Sequence, residues 1–391
     1  MMDMQGIADL EAAMQRRMAA LPSRLRPFST EYRNLPRALL LTGARGVGKT
    51  IFLLHHAKER RVLYLSADNP MVMSESLYNI GKSAFLAGFG GIIIDEVHYA
   101  REWALHLKAL YDDFPGHSIW ASDSSSLVLR SGTADLSRRF VPIKMPFLSF
   151  REFLFLETGK EFPVLNPFSG MLNIHVVPTP EILAAFRKYR AMGTRPFYAE
   201  GNFEDRLLAV LDKTLYADIP FFLPNVTDGN LRLMKAITGT LAASPIPRLK
   251  VTSLCADWGI GADKLYQILE VMESVGVLRI IRIEHDTKAK SVGAKLFFSD
   301  PAMYTALKGN PGTAREALVA SLCAEAGWTV EASRDETQGD FVISQRQEGI
   351  SVRIEVGGSG KKRKHSDFVV RDDIDLPGAN TIPLWMLGMM Y

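Results

Sequence analysis

Cysteine is nearly absent: Cys255 and Cys323 are the two in 391 residues. Two thiols so far apart in sequence cannot build a disulfide framework. That excludes the small stapled scaffolds of secreted proteins and fits a reducing compartment. Both read as small buried apolar residues. Net charge is also scarce, at +3 from 46 Lys and Arg against 43 Asp and Glu. Any nucleic-acid footprint must therefore come from local clusters rather than the whole molecule. No uncharged run reaches the ~18–20 residues needed to cross a bilayer. The richest apolar run, Thr381 to Tyr391, contains Pro383 and reads as a last buried strand with its flanks. Asp3, Asp9, Glu11, Arg16 and Arg17 break up the N-terminal residues, which lack the apolar run of a signal peptide. The expectation is a cytoplasmic protein with no membrane partner. There is no internal repeat, and no biased tract beyond Lys361–Lys364.

What is present is ordinary globular composition, 47% hydrophobic and 23% charged, in a chain long enough for two or three domains. Residues 4–20 pattern as an amphipathic helix ended by Leu21-Pro22, followed by a connector rich in arginine (Arg24, Arg26, Arg33, Arg37). Apolar β-runs then alternate with helical patterns: Ala38–Thr42, Val62–Ser66, Gly91–Ile94, Ser118–Ser122 and Phe140–Met145. That alternation predicts a parallel sheet with helices on both faces. Residues 151–228 are mixed, helical around 181–190 and 202–216. From 229 the texture changes, with helical patterns at 229–243, 251–258 and 261–275. Two β-runs, Val277–Glu284 and Lys295–Ser299, follow across a polar turn. Three helices and a hairpin is the order of a winged helix. The last segment reads helix 313–326, strands 328–333, 340–345 and 350–356, then a basic loop and a final β-run.

The decisive segment is Gly43-Ala44-Arg45-Gly46-Val47-Gly48-Lys49-Thr50, a full G-x-x-x-x-G-K-T match that a strand enters and a helical run from Ile51 leaves. The glycines let backbone N–H groups curl around a β-phosphate, Lys49 reaches the β- and γ-phosphates, and the Thr50 hydroxyl ligates Mg²⁺. The helix start adds its positive dipole end. Gly91-Ile92-Ile93-Ile94-Asp95-Glu96 is a buried strand ending in two acids: Asp95 holds the Mg²⁺ shell and Glu96 polarises the attacking water. Together these residues predict ATP and Mg²⁺ as cofactors. Ser118–Ser122 delivers Ser122, Asp123 and Ser124 to the same sheet edge, where ligands of open α/β sheets bind. A water-orienting role and a plain Ser-rich turn both remain open there. The eight histidines give no metal signal, with His55 and His56 adjacent and the rest scattered.

Taken together, G-A-R-G-V-G-K-T, I-I-I-D-E-V-H, the W-x4-K of Trp103 and Lys108, S-S-S-L at 124–127, A-D-L-S-R-R at 134–139 and L-S-F-R-E-F at 148–153 resemble the prokaryotic AAA-type P-loop ATPases. These carry a C-terminal restriction-endonuclease-like domain of unknown function. The resemblance extends to Tyr189–Glu200 and the closing I-P-L-W-M-L-G-M-M-Y. It implies that Ser122 or Ser124 is the first sensor. It also implies that Arg138 and Arg139 present an arginine finger to a neighbour's γ-phosphate, hence a homo-oligomer. The implied domains are an N-terminal helix and connector (1–37), an α/β P-loop core (38–150), a helical lid (151–228), a winged helix (229–300) and a degenerate endonuclease-like domain (301–391).

In active members of that last fold, Asp and Glu bind Mg²⁺, and a Lys two residues beyond the Glu stabilises the attacking hydroxide. Here the order is Glu316, Asp340 and Glu355, with Gly357 at the lysine position. Cleavage is therefore not expected. Lys361 or Lys362 could swing in from the following loop, but the glycine-rich setting at 357–360 argues instead for Lys361 to Lys364 as a phosphate-contacting or solvated loop. In the winged helix, the second helix of the pair carries Asp263, Glu270 and Glu273, whereas the wing carries Arg279, Arg282, Lys288, Lys290 and Lys295. DNA contact and protein docking both remain open. The leading expectation is Mg-dependent ATP hydrolysis coupled to DNA or RNA binding or remodelling through the wing and the Lys361–Lys364 loop. An ATP-dependent protein-interaction switch comes second, and an ATP-gated nuclease third.

Overall fold

A computed structural model describes the chain except for residues 1, 59, 125–135, 169–175, 223–225, 246–247, 249–250, 287–292, 347–348, 359 and 362–364, and the side chains of Phe221 and Phe222. The described residues fall into two compact units, Met1–Pro146 with Phe221–Pro224, and Phe147–Pro220 with Asn225–Tyr391. None of their helices is long and apolar enough to cross a membrane.

The first unit is built on five parallel strands, β1 (Ala38–Thr42), β2 (Val62–Ser66), β3 (Gly91–Asp95), β4 (Ser118–Asp123) and β5 (Val141–Lys144), in the order β2-β3-β4-β1-β5. β1 and β3 are buried along their whole length, which is why they read as unbroken apolar runs rather than alternating ones. The helices are α1 (Met4–Ala19), α2 (Pro27–Glu31), α3 (Lys49–Ala57), α4 (Pro70–Met73), α5 (Leu77–Leu86) and α6 (Trp103–Asp113). Helix α1 starts where the Asp3 side chain accepts from the Gly6 N–H, and it contributes Ile7 and Leu10 to the core. β1 leads straight into the glycine-rich loop, and α3 leaves it. Gly46 and Gly48 have φ of 83° and 107°, backbone that a side chain strains.

The second unit opens with α7 (Phe150–Thr158), started by a capping box between Ser149 and Glu152. Helices α8 (Pro180–Met192), α9 (Phe203–Lys213), α10 (Asp228–Ala243), α11 (Val251–Trp258) and α12 (Ala262–Ser274) follow. An antiparallel hairpin comes next, β6 (Leu278–Ile281) with β7 (Lys295–Phe298). After α13 (Ala302–Ala306) and α14 (Pro311–Glu325) comes a five-stranded mixed sheet. Its strands are β8 (Thr329–Ala332), β9 (Phe341–Gln345), β10 (Ile350–Gly357), β11 (Phe368–Arg371) and β12 (Thr381–Pro383), in the order β12-β11-β10-β9-β8. β8 and β9 pair antiparallel, as do β9 and β10; β10, β11 and β12 run parallel.

Two readings of the tail need correction. The final apolar run is not one strand: after the three residues of β12 it turns into a short helix, α15 (Leu384–Leu387). Residues 384–390 are buried throughout, and uniform burial leaves no period by which to tell strand from helix. β11 was not foreseen, being four residues long beside a basic loop.

Candidate functional site

The carboxyl ends of β1, β3 and β4 bring the predicted nucleotide residues together. Asp95, the last residue of β3, is 5% exposed and accepts from several donors. Thr50 Oγ1 donates to its Oδ2 at 2.5 Å, and Tyr64 OH donates to the same oxygen at 3.0 Å. The Ser122 hydroxyl and the Glu96 N–H (3.2 Å) donate to Oδ1. Burial, reinforced by the Asp95 charge, holds the Tyr64 hydroxyl far above the usual phenol range, so it stays a donor. Thr50 and Asp95 thus face one another with hard oxygen ligands, the donor set Mg²⁺ requires.

Lys49, also 5% exposed, donates from Nζ to the carbonyls of Gly43 (2.8 Å) and Ala44 (3.3 Å). Burial lowers its pKa, while the charges of Glu96, Asp95 and Asp123 oppose the shift. Glu96 sits just past the strand in left-handed backbone (φ 51°, ψ 49°), a strained setting for a side-chain-bearing residue. Its carboxylate meets Arg45 of the glycine-rich loop at 3.2 Å and accepts from Ser124 Oγ at 3.2 Å. Burial raises the Glu96 pKa, with Lys49 and Arg45 pulling it back. Raised acids in a polar cleft are the groups that act on water near neutrality.

Two features of this site were not foreseen. His98 is buried, with Nδ1 2.7 Å from Asp123 Oδ2 and 3.8 Å from Glu96. Glu96, His98 and Asp123 bring ligand atoms within 4.8 Å of one another. The one available signal was the fourth residue of the D-E-V-H run. Arg26, read only as part of a basic connector, is buried and donates to the carbonyls of Val47 (2.9 Å) and Pro146 (3.0 Å), bracing the glycine-rich loop. Among the sensor residues, Ser122 and Ser124 both reach the acids, whereas 125–135 lie outside the described residues. Arg139 makes a bidentate pair with Asp112 on α6, both bonds 2.9 Å, and Arg138 is exposed.

A second charged cluster lies in the second unit. Glu316 on α14, Asp340 just before β9 and Glu355 on β10 do converge. The phosphate-contacting reading of Lys361 needs correction, because its ammonium swings in to reach them. Lys361 Nζ lies 2.8 Å from Glu355 Oε1 and 3.9 Å from Asp340, so this lysine turns inward rather than out towards phosphate. Gly357 is what makes room: a Cβ there would come within 2.4 Å of the Lys361 side chain. Lys362, Arg363 and Lys364 lie outside the described residues. Lys295, assigned to the wing, is 2% exposed; its Nζ is 2.7 Å from Glu316 and 3.4 Å from Asp340. Burial pushes Glu316 above the usual carboxylate range, against the pull of Lys295.

The comparisons with known proteins bear on the first of these clusters. Residues 35–154 match the AAA domain family. An uncharacterized protein of Methanocaldococcus jannaschii is 30% identical over 207 residues, 46% of this chain and 43% of its own length. The chain therefore spans less than half of that relative. Among solved structures, a Walker-type ATPase of Pyrococcus abyssi covers 78% of this chain and 97% of its own, at 15% identity and a TM-score of 0.38. A Thermotoga maritima RuvB mutant covers 79% and 96%, at 16% identity and a TM-score of 0.30. The family match spans the glycine-rich loop, the Asp95-Glu96 strand end and the β4 edge in one stretch, so residues 35–154 are similar to the AAA domains of P-loop ATPases.

Proposed function

We propose that this protein hydrolyses ATP with Mg²⁺. The observation that carries the reading is the convergence of Lys49, Thr50, Asp95 and Glu96 at one sheet edge. Gly43 to Thr50, with Ile51, cradle the phosphates. Thr50 and Asp95 would hold Mg²⁺, which supplies charge neutralisation on the β- and γ-oxygens. Glu96 polarises the attacking water, and Ser122 and Ser124 fix the two acids that face it. The assembly is a homo-oligomer in which Arg138 and Arg139 serve a neighbouring site.

Turnover is coupled to a macromolecule through residues 229–391, read as a winged helix followed by an endonuclease-like core. The charges favour a protein-interaction switch over nucleic acid. Arg279 pairs with Glu325 (2.5 Å), Arg282 with Glu273 (3.0 Å), and Lys295 is buried against Glu316. Arg279 and Lys295 are thus committed inside the fold, Arg282 is exposed and paired at the surface, and Lys361 is held by Glu355. The nucleic-acid reading then rests on Arg282, Lys288, Lys290 and Lys362 to Lys364. ATPase rates with and without single- and double-stranded DNA, across a salt series, decide between the two. A DNA-independent rate supports the switch. Stimulation that fades steeply with salt restores nucleic acid.

A further inference from the structure

The cluster of Glu316, Asp340 and Glu355 has the acids of a metal-dependent nuclease core, but not the space around them. Three carboxylates meet two ammonium groups, and the two play different parts. Lys361 comes from the loop after β10 and pairs chiefly with Glu355. Lys295 comes from the hairpin strand β7, a separate element, and enters between Glu316 and Asp340. Those two are the carboxylates that a divalent cation would need to bridge.

Several facts mark Lys295 as built into this position. It is 2% exposed, its strand is paired to β6, and its ammonium lies 4.6 Å from the centre of the Phe341 ring, a further cation-stabilising contact. A lysine is rarely buried without paired charge, and here the pairing is two-fold. Asp340 is committed on its other oxygen too, accepting the Val356 N–H at 2.8 Å.

We propose that Lys295 is the resident cation of this cluster. Its ammonium occupies the space between Glu316 and Asp340 that a divalent cation would need in order to bridge them, and closes the cluster to metal. The inference stands apart from the nucleotide site and from whichever partner the second unit binds. A tethered monovalent ammonium excludes Mg²⁺ and Mn²⁺ by charge and by volume. Removing its head should turn the same acids into a metal site.

The test is Mn²⁺ binding followed by loss of the free-ion paramagnetic resonance signal, on the full chain without nucleotide. The unaltered protein is expected to show no Mn²⁺ ion whose binding depends on Asp340. Lys295→Met is expected to gain one such ion, with affinity at least about tenfold tighter than any remaining binding, and to lose it again on adding Asp340→Asn. Its melting temperature should fall by roughly 6–20 °C and recover with Mn²⁺. An Asp340-dependent ion in the unaltered protein overturns the proposal, as does a folded Lys295→Met chain that gains none. Should Lys295→Met fail to fold, the Lys295→Met/Glu316→Gln double variant keeps the question open to measurement. Removing one charge of each sign should recover folding, and a double variant as unstable as the single one overturns the resident-cation role.

Discussion

At the scale of single residues, the nucleotide site separates binding from chemistry. In the proposed mechanism Lys49 would touch phosphate in the ground state, whereas Glu96 would act on water only as the bond breaks. Lys49→Ala should therefore abolish nucleotide binding. Glu96→Gln should bind nucleotide normally while phosphate release falls by roughly 10²–10³-fold. Fluorescent-nucleotide titration beside a phosphate-release assay reads both, and unimpaired turnover by Glu96→Gln would remove Glu96 as the group that acts on water. The electrostatics add a pH prediction. Glu96 must be ionised to work, and burial raises its pKa, so turnover should fall as pH drops through that raised value. Arg45 is one of the cations pulling the pKa down. Arg45→Ala should accordingly move the acid limb of the kcat profile to higher pH. A limb that stays in place would show that another group sets it. Lys49, Thr50, Asp95 and Glu96 were legible in sequence because each belongs to a short contiguous motif. Lys295 was not: a lysine reads as surface, and only the meeting of β7, α14 and the start of β9 reveals it as an interior charge.

At the scale of elements, the parallel sheet was readable for a physical reason. Strands covered on both faces need apolar side chains at every position, so β1 and β3 announce themselves in sequence. The brace on the glycine-rich loop was not readable, since Arg26 and Pro146 are 120 positions apart. That brace is testable. The Arg26 guanidinium donates to two carbonyls, one of them on Val47 within the loop itself, and hydrogen bonds from a charged donor contribute about 1.5–3 kcal/mol each. Arg26→Met keeps much of the apolar stem and removes the donors. It should weaken ATP binding by about tenfold or more while the parallel sheet survives, as circular dichroism can verify. An unchanged affinity would mean that Gly46 and Gly48 hold the loop's shape unaided.

At the scale of the whole molecule, the open question about the ATPase is whether one chain completes its own site. Arg139 is engaged by Asp112 in a bidentate pair, and that arrangement has two consequences. It fixes the guanidinium on the surface of its own domain, part-exposed and ordered, which is how a group offered to a neighbour must be presented. It is also a solvent-screened pair, readily exchanged for the denser negative charge of a γ-phosphate. An arginine supplied in trans typically contributes ~10³-fold or more to turnover. Arg139→Ala should therefore lower kcat with little change in ATP affinity. The decisive step is to mix it with Glu96→Gln. Each variant alone lacks one half of every site. In a mixed oligomer, some interfaces bring the intact Glu96 of one subunit against the intact Arg139 of another, and activity should return at those interfaces. A monomer has no such interface, and an arginine acting within its own chain cannot be lent. Activity that stays flat on mixing, together with monomeric sedimentation in the presence of ATP, would rule out the shared site and leave the Arg139–Asp112 pair a structural tie between α6 and the turn before β5.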